Sequence, residues 1–255
     1  MTTRTNRLRP LGPATATWSC QGLDEAIALT AQGAIVFLQR GLAMVADLHL
    51  GKTQTLRQHG LAVPEGSDEE TLEKLEALLS SWPLKKLVIL GDLVHHQTAL
   101  DGHGRLLEKL IGLRRRWPGP AFHLVLGNHD RMLKPGCETP LARDLVAALD
   151  LQRHSQAFVQ EGLRGYHDIA DAYEREGVQE GADEQPEPWQ VSGHLHPAVR
   201  LRLGPGQWQR LACFTRSGRR WMLPAFGAFT GGFDIQPADY DEIVGLLDGQ
   251  LLGLG

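Results

Sequence analysis

Short apolar runs at residues 26–29, 34–38 and 42–45, broken by Gly33 and Gly41, alternate too quickly for helices. They predict a hairpin or meander of strands over residues 14–47. Leu72, Leu75, Leu78 and Leu79 instead recur at helical spacing, which predicts a helix over 67–81 with Ser67 and Glu70 as a capping box and Pro83 as its stop. Residues 87–90 read as a buried strand, 105–117 as a basic helix, 122–126 as a strand and 141–149 as a helix, an alternation that implies a layered α/β fold. Beyond residue 189 the order changes to short strands at 191–192, 199–203 and 208–223, with a last helix near 238–247. The second half is therefore expected to be antiparallel. The acidic, proline-containing stretch 174–188 can bury little apolar surface and reads as a mobile surface loop.

At 255 residues with 42% hydrophobic and 22% charged residues, the composition fits one globular domain spanning 1–255, with no repeat and no convincing linker. No apolar run approaches the roughly 18 to 20 residues that span a bilayer. The basic amino terminus lacks the apolar core of a secretory signal, so a cytoplasmic location is expected. Cys20, Cys137 and Cys213 form no C-x-x-C pair, which speaks against a disulfide framework and a zinc ribbon. A net charge of -4 argues against broad electrostatic binding of nucleic acid while leaving room for a local basic groove. Arg114, Arg115 and Arg116, with Arg216, Arg219 and Arg220, could wall such a groove. Phe226, Phe229 and Phe233 could stack unpaired bases or, more simply, fill core.

Eleven histidines is the unusual count, since imidazole is the commonest transition-metal ligand and the usual acid or base near neutral pH. Most of the chemistry falls in four clusters: Asp47-Leu48-His49, Gly91-Asp92-Leu93-Val94-His95, Gly127-Asn128-His129-Asp130 and Gly193-His194-Leu195-His196. Each follows a strand-like segment, and the carboxyl ends of strands are where open α/β sheets build ligand sites. D-x-H alone is expected by chance about 0.6 times in such a chain, but G-N-H-D only about 0.0006 times. All four clusters in strand-end context are hard to obtain by accident.

This order and spacing resemble the binuclear, calcineurin-like metallophosphoesterases. The segments 47–52, 193–197 and 223–232 resemble more narrowly the ligase-associated DNA-damage-response phosphoesterases of the PdeM type, over about residues 18–248. The resemblance implies a four-layer αββα sandwich of two mixed β-sheets flanked by helices, and a DNA endonuclease. It implies partners as well: DNA, an ATP-dependent DNA ligase and a helicase.

The expected chemistry is a clamp of two divalent cations on a phosphate, with a water between them activated near neutral pH. Two cations so close need a shared anion, and Asp92 is the candidate bridge. Asp47 and His49, two residues apart on an extended segment, can hold one ion with His196. Asp92, Asn128 and His194 would hold the other. The family places one more histidine between G-N-H-D and G-H-x-H, for which His167 is chosen and His154 lies in the same interval. Ligands without thiolate suit Mn²⁺, with Fe²⁺ or Zn²⁺ as alternatives. His129 is expected to face substrate and protonate the leaving oxygen. His95 stands where many relatives have an Asp; it can hydrogen-bond His129 but supplies no negative charge. Lys52 and Arg131, beside the first and third clusters, are candidate substrate contacts.

The reading is a dinuclear phosphodiesterase, foremost a nuclease preferring single-stranded DNA. Its alternatives are a phosphatase or phosphodiesterase acting on a small nucleotide or phosphoprotein, and a non-catalytic scaffold on the same fold. A scaffold would be expected to have lost ligands or the G-N-H-D histidine, and both are present here.

Overall fold

The computed structural model describes residues 8–13, 15–19, 25–96, 105–170 and 187–254. Strand β1 (Leu8–Pro13) leads into an antiparallel meander of β2 (Thr15–Ser19), β3 (Ala26–Thr30), β4 (Ile35–Phe37) and β5 (Leu42–Val45). Helices α1 (Lys52–Gln58) and α2 (Ser67–Ser81) follow, then β6 (Lys86–Leu90), α3 (Arg105–Arg116), β7 (Ala121–Val125), α4 (Pro140–Leu149) and β8 (Gln152–His154). Strands β5, β6, β7 and β8 pair in parallel and complete a 7-stranded mixed sheet.

The second sheet is built from β9 (Ala157–Gln160), β10 (Leu163–Tyr166), β11 (Trp189–Ser192), β12 (Pro197–Gly204), β13 (Gln207–Ser217), β14 (Arg220–Met222), β15 (Phe233–Asp234), β16 (Glu242–Leu247) and β17 (Gln250–Leu254), with β1 closing one edge. It is 10-stranded and mixed: most pairings are antiparallel, as expected, but β10 with β11, β11 with β14 and β12 with β15 run parallel. The fold is thus the expected α/β arrangement of two mixed sheets with helices.

Alternation explains the layering. Inward residues of one face of the first sheet (Ala28, Val36, Val45, Ile89, Leu124) meet Leu72, Leu75, Leu110, Leu113 and Leu145 of α2, α3 and α4. The other face (Ile27, Phe37, Met44, Leu90, Val125) packs on Leu163, Val191, Phe214, Trp221 and Val244 of the second sheet. Being covered on both sides, these strands read as nearly continuous apolar runs.

Two local expectations are corrected. Residues 238–247 form no helix: a 3-10 turn (Pro237–Asp239) precedes β16, which pairs with β13 and β17. The signal passed over is Asp248-Gly249, both at positive φ (47° and 74°), the pair that a tight hairpin turn demands. The capping box is also absent. Gly66 caps α2, Ser67 Oγ lies 2.9 Å from Thr53 Oγ1, and Asp68 accepts the Gly51 N–H, so the first turn of α2 is spent on holding the start of α1. The expected acidic loop falls almost wholly in 171–186, outside the described residues, as does Cys20.

Candidate metal centre

Five strands deliver the site, each at its carboxyl end. Asp47 and His49 follow β5, Asp92 follows β6, Asn128 and His129 follow β7, His167 follows β10, and His194 and His196 follow β11. Both sheets therefore contribute. Asp47, His49, Asp92, His194 and His196 all have φ between 47° and 70°, a left-handed conformation that costs a non-glycine residue about 1–2 kcal/mol. The loops are held there by backbone bonds between motifs: Asp47 N–H donates to Gly91 O, His49 N–H to Asp92 O and Gly193 N–H to His167 O. Gly91 and Gly127 are required by close approach, since a Cβ on Gly91 would stand 2.0 Å from His167 Nδ1 and one on Gly127 2.2 Å from Asp92 Oδ1.

Three groups of donors result, each with its ligand atoms within 4.8 Å of one another: Asp47, His49 and His196; Asp92, His167 and His194; and His49, His95 and His129, which shares His49 with the first. Asp92 Oδ2 lies 3.7 Å from His49 Nε2 and 3.7 Å from His167 Nε2, so one oxygen stands between the first two groups. The donors fit cations better than one another. Asp47 Oδ1 and His196 Nε2 are buried 3.4 Å apart, and neither has a hydrogen-bond partner among the described residues. His167 Nδ1 lies 3.0 Å from Leu90 O and must donate to it, which leaves a lone pair on Nε2 facing the Asn128 amide oxygen at 3.0 Å. His194 Nδ1 lies 3.0 Å from the same Nε2, so an amide oxygen and two imidazole nitrogens converge there as the ligands of one cation would. The remaining carboxylate oxygens orient the loops: Asp47 Oδ2 accepts His194 N–H, and Asp92 Oδ1 accepts His129 N–H.

Burial pushes His49 down to about 2, helped by His196, Lys52 and neighbouring imidazoles, so it presents a neutral ring to a metal at any physiological pH. The same causes, burial first and then His129, take His95 down to about 4. Half-buried Lys52 opens α1 close enough to act on both histidines, and burial lowers its own pKa.

His129 Nδ1 lies 2.7 Å from the backbone carbonyl of His95. The expected hydrogen bond between these residues therefore exists, but through the main chain. The His95 ring instead stacks on His129 with centroids 4.7 Å apart, and its Nδ1 stands 3.5 Å from His49 Nδ1. Because a carbonyl only accepts, Nδ1 of His129 carries a proton and Nε2 is the atom left to act. His154 pairs with His123 at 3.1 Å, whereas His167 stands in a donor group with Asp92 and His194. Arg131 is exposed on the 3-10 turn after His129.

Sequence reasoning assigned nothing to Asp130, which is fully buried and accepts the N–H groups of Asp92, Leu93, Val94 and Gly127. Burial raises it to about 6 against the pull of those donors. Its place in G-N-H-D was the available signal. Lys74 gave none. From mid-α2 its ammonium donates to Phe226 O, while Thr71 Oγ1 accepts Ala228 N–H, and so α2 fixes the loop whose Phe226 and Gly227 N–H groups bond Ala46 O and Asp47 O.

Residues 42–190 match the profile of the calcineurin-like phosphoesterases. A crystal structure of Pseudomonas putida nuclease MPE superposes with a TM-score of 0.70 at 30% sequence identity, covering 94% of this chain and 100% of that one. No curated protein matches. The profile match over residues 42–190, with Asp47, His49, Asp92 and His167 inside it and His194 and His196 just beyond, places this chain in the calcineurin-like phosphoesterase family, as a metal-dependent phosphoester hydrolase.

Proposed function

We propose that the protein is a dinuclear phosphodiesterase that cuts DNA internally, prefers single strands, and works in the cytoplasm beside an ATP-dependent DNA ligase and a helicase in repair. The observation that carries the dinuclear reading is Asp92 Oδ2, equally distant from His49 and His167. The likeness to a nuclease over 94% of the chain supports DNA as substrate. The ligase and helicase rest on the resemblance of the motifs.

In this reading Asp47, His49, His196 and Asp92 hold one divalent ion, and Asp92, Asn128, His167 and His194 the other. Carboxylate, amide and imidazole without thiolate favour Mn²⁺ over Fe²⁺ and Zn²⁺. The bound ions supply charge neutralisation and an activated water. The chain's own residues do the rest. His129 delivers a proton from Nε2 to the leaving oxygen, with Nδ1 held on the His95 carbonyl. The His95 ring, stacked flat, keeps the His129 imidazole from turning away. Lys52 meets the phosphate with positive charge, and Arg131 meets the strand outside the centre.

Closed single-stranded circles, intact duplex, a small phosphodiester and a phosphomonoester, each offered with Mn²⁺ and with a chelator, test the proposal. Metal-dependent cutting of the circle, faster than that of duplex, is expected. Turnover of the monoester with the circle left closed would instead identify a small-molecule phosphatase.

A further inference from the structure

The hairpin that leaves the centre carries chemistry the reaction itself does not use. Strand β12 starts at Pro197, directly after His196, and pairs with β13 so that Arg200 faces Arg210 and Arg202 faces Trp208. Directly opposed residues of an antiparallel pair share a face. All four are exposed here, while Val199, Leu201 and Leu211, on the opposite face, are buried. The segment 197–211 contains three arginines and no acidic residue, in a chain of net charge -4.

Asp234 on β15 accepts both the Arg200 and the Arg210 guanidinium, at 2.6 and 2.5 Å. One carboxylate thus positions two cations without cancelling them, and Arg202 adds a third. Of the arginines that composition singled out, Arg116 is paired with Glu76, Arg114 with the Trp117 and Pro120 carbonyls, Arg216 with Asp241 and Glu242, and Arg219 with the Glu187 carbonyl.

Aromatic surface completes the strip. Trp208 is 63% exposed, an indole left largely open to water among the described residues. Phe233, 57% exposed, is tied by its N–H to His196 O and pairs with Pro197, so it lies on the other face of the ladder and outside the strip. Phe226, the third of the phenylalanines, is fully buried and belongs to the core. From the centre outward the order is Arg200 with Arg210, then Arg202 with Trp208. Same-face residues on a strand recur at about 6.6 Å, comparable to the step between phosphates of an extended single strand.

Resting on the nuclease reading above, we infer that the outer face of the β12–β13 hairpin is the track that holds the single strand flanking the cut, Arg200 with Arg210 taking one phosphate, Arg202 the next, and Trp208 stacking on a base. Alternating cation and aromatic ring is the composition that grips single strands without reading their sequence. A duplex keeps its bases stacked inside and offers Trp208 nothing.

The test is anisotropy of a labelled oligothymidylate with Ca²⁺ in place of Mn²⁺, together with steady-state cutting of closed circles, for Trp208→Ala, Trp208→Phe, Arg202→Ala and, as a control on a distant helix, Arg143→Ala. Thermal melting checks that each variant is folded. Trp208→Ala is expected to weaken binding about tenfold, with Trp208→Phe restoring most of it. Arg202→Ala is expected to lower the salt slope of log K by about 0.7, one phosphate contact on a single strand. Both should raise KM for the circle more than they lower kcat, and Arg143→Ala should do neither. Parental affinity and salt slope in Trp208→Ala and Arg202→Ala would remove the track while leaving the nuclease. A parent chain that hydrolyses a small diester but neither binds nor cuts single strands would remove both.

Discussion

Asp92 and His129 are joined by a hydrogen bond, from the His129 N–H to Asp92 Oδ1, and still have separable parts to play. Asp92→Ala removes the oxygen standing between His49 and His167, leaving nothing to offset repulsion between two cations, so paired metal binding and activity should vanish together. His129→Ala keeps its backbone N–H and removes a ring that stands edge-on to His49, 5.1 Å between centroids, without being assigned to either ion. Calorimetry should still count two ions, while DNA cutting falls by roughly 10²- to 10⁴-fold, the range of general acid help. A diester with a p-nitrophenolate leaving group, which departs without a proton, should suffer less. Loss of a metal from His129→Ala, or DNA cut at the parental rate, would contradict its role as proton donor.

Between elements, the buried Asp130 carboxylate is the junction. Oδ1 accepts from Leu93 and Val94 and Oδ2 from Asp92 and Gly127, so one side chain locks the loop after β6 onto the loop after β7. Asp130→Asn keeps the size but turns one acceptor into a donor that faces N–H groups. Leaving about two buried donors unpaired should cost roughly 3 kcal/mol, read as a lower urea midpoint, and should weaken metal binding through the displaced Asp92 backbone. A variant that unfolds at the parental midpoint would show the loops are held by something else.

Across the whole molecule the two sheets meet at an edge where β7, β8 and β9 come together around His123, His154 and Phe158. His123 Nε2 is buried without a partner, and burial, then His154 and Lys86, take His123 from 6.5 to about 4. Between those values the unfolded chain binds the proton and the folded chain does not, so stability rises with pH across that window. The contribution is fully present above about pH 6.5 and is lost as pH falls toward 4, on the order of 2 kcal/mol. Urea midpoints measured at neutral pH and near pH 5 should therefore converge in His123→Leu relative to the parent; an unchanged pH dependence would assign the effect to other groups.

What the chain alone made legible was whatever depends on neighbours in sequence. Apolar runs placed the β3–β5 meander, α2, α3 and α4, because burial on one or both faces leaves a period that survives in the order of residues. The four motifs named Asp47, His49, Asp92, Asn128, His194 and His196 because each pair is local to one strand end. The β16 strand was misread as a helix since Ile243, Val244, Leu246 and Leu247 suit either period until β13 and β17 flank them. Only the tertiary structure separated His167 from His154: His154 ends β8 against His123, while His167 follows β10 and meets Asp92 and His194. It alone gave Asp130 four N–H donors, brought Lys74 to Phe226, and set Arg200, Arg202, Arg210 and Trp208 in one exposed row. Those contacts join residues far apart in the chain, and distance in sequence carries no trace of a contact that packing creates.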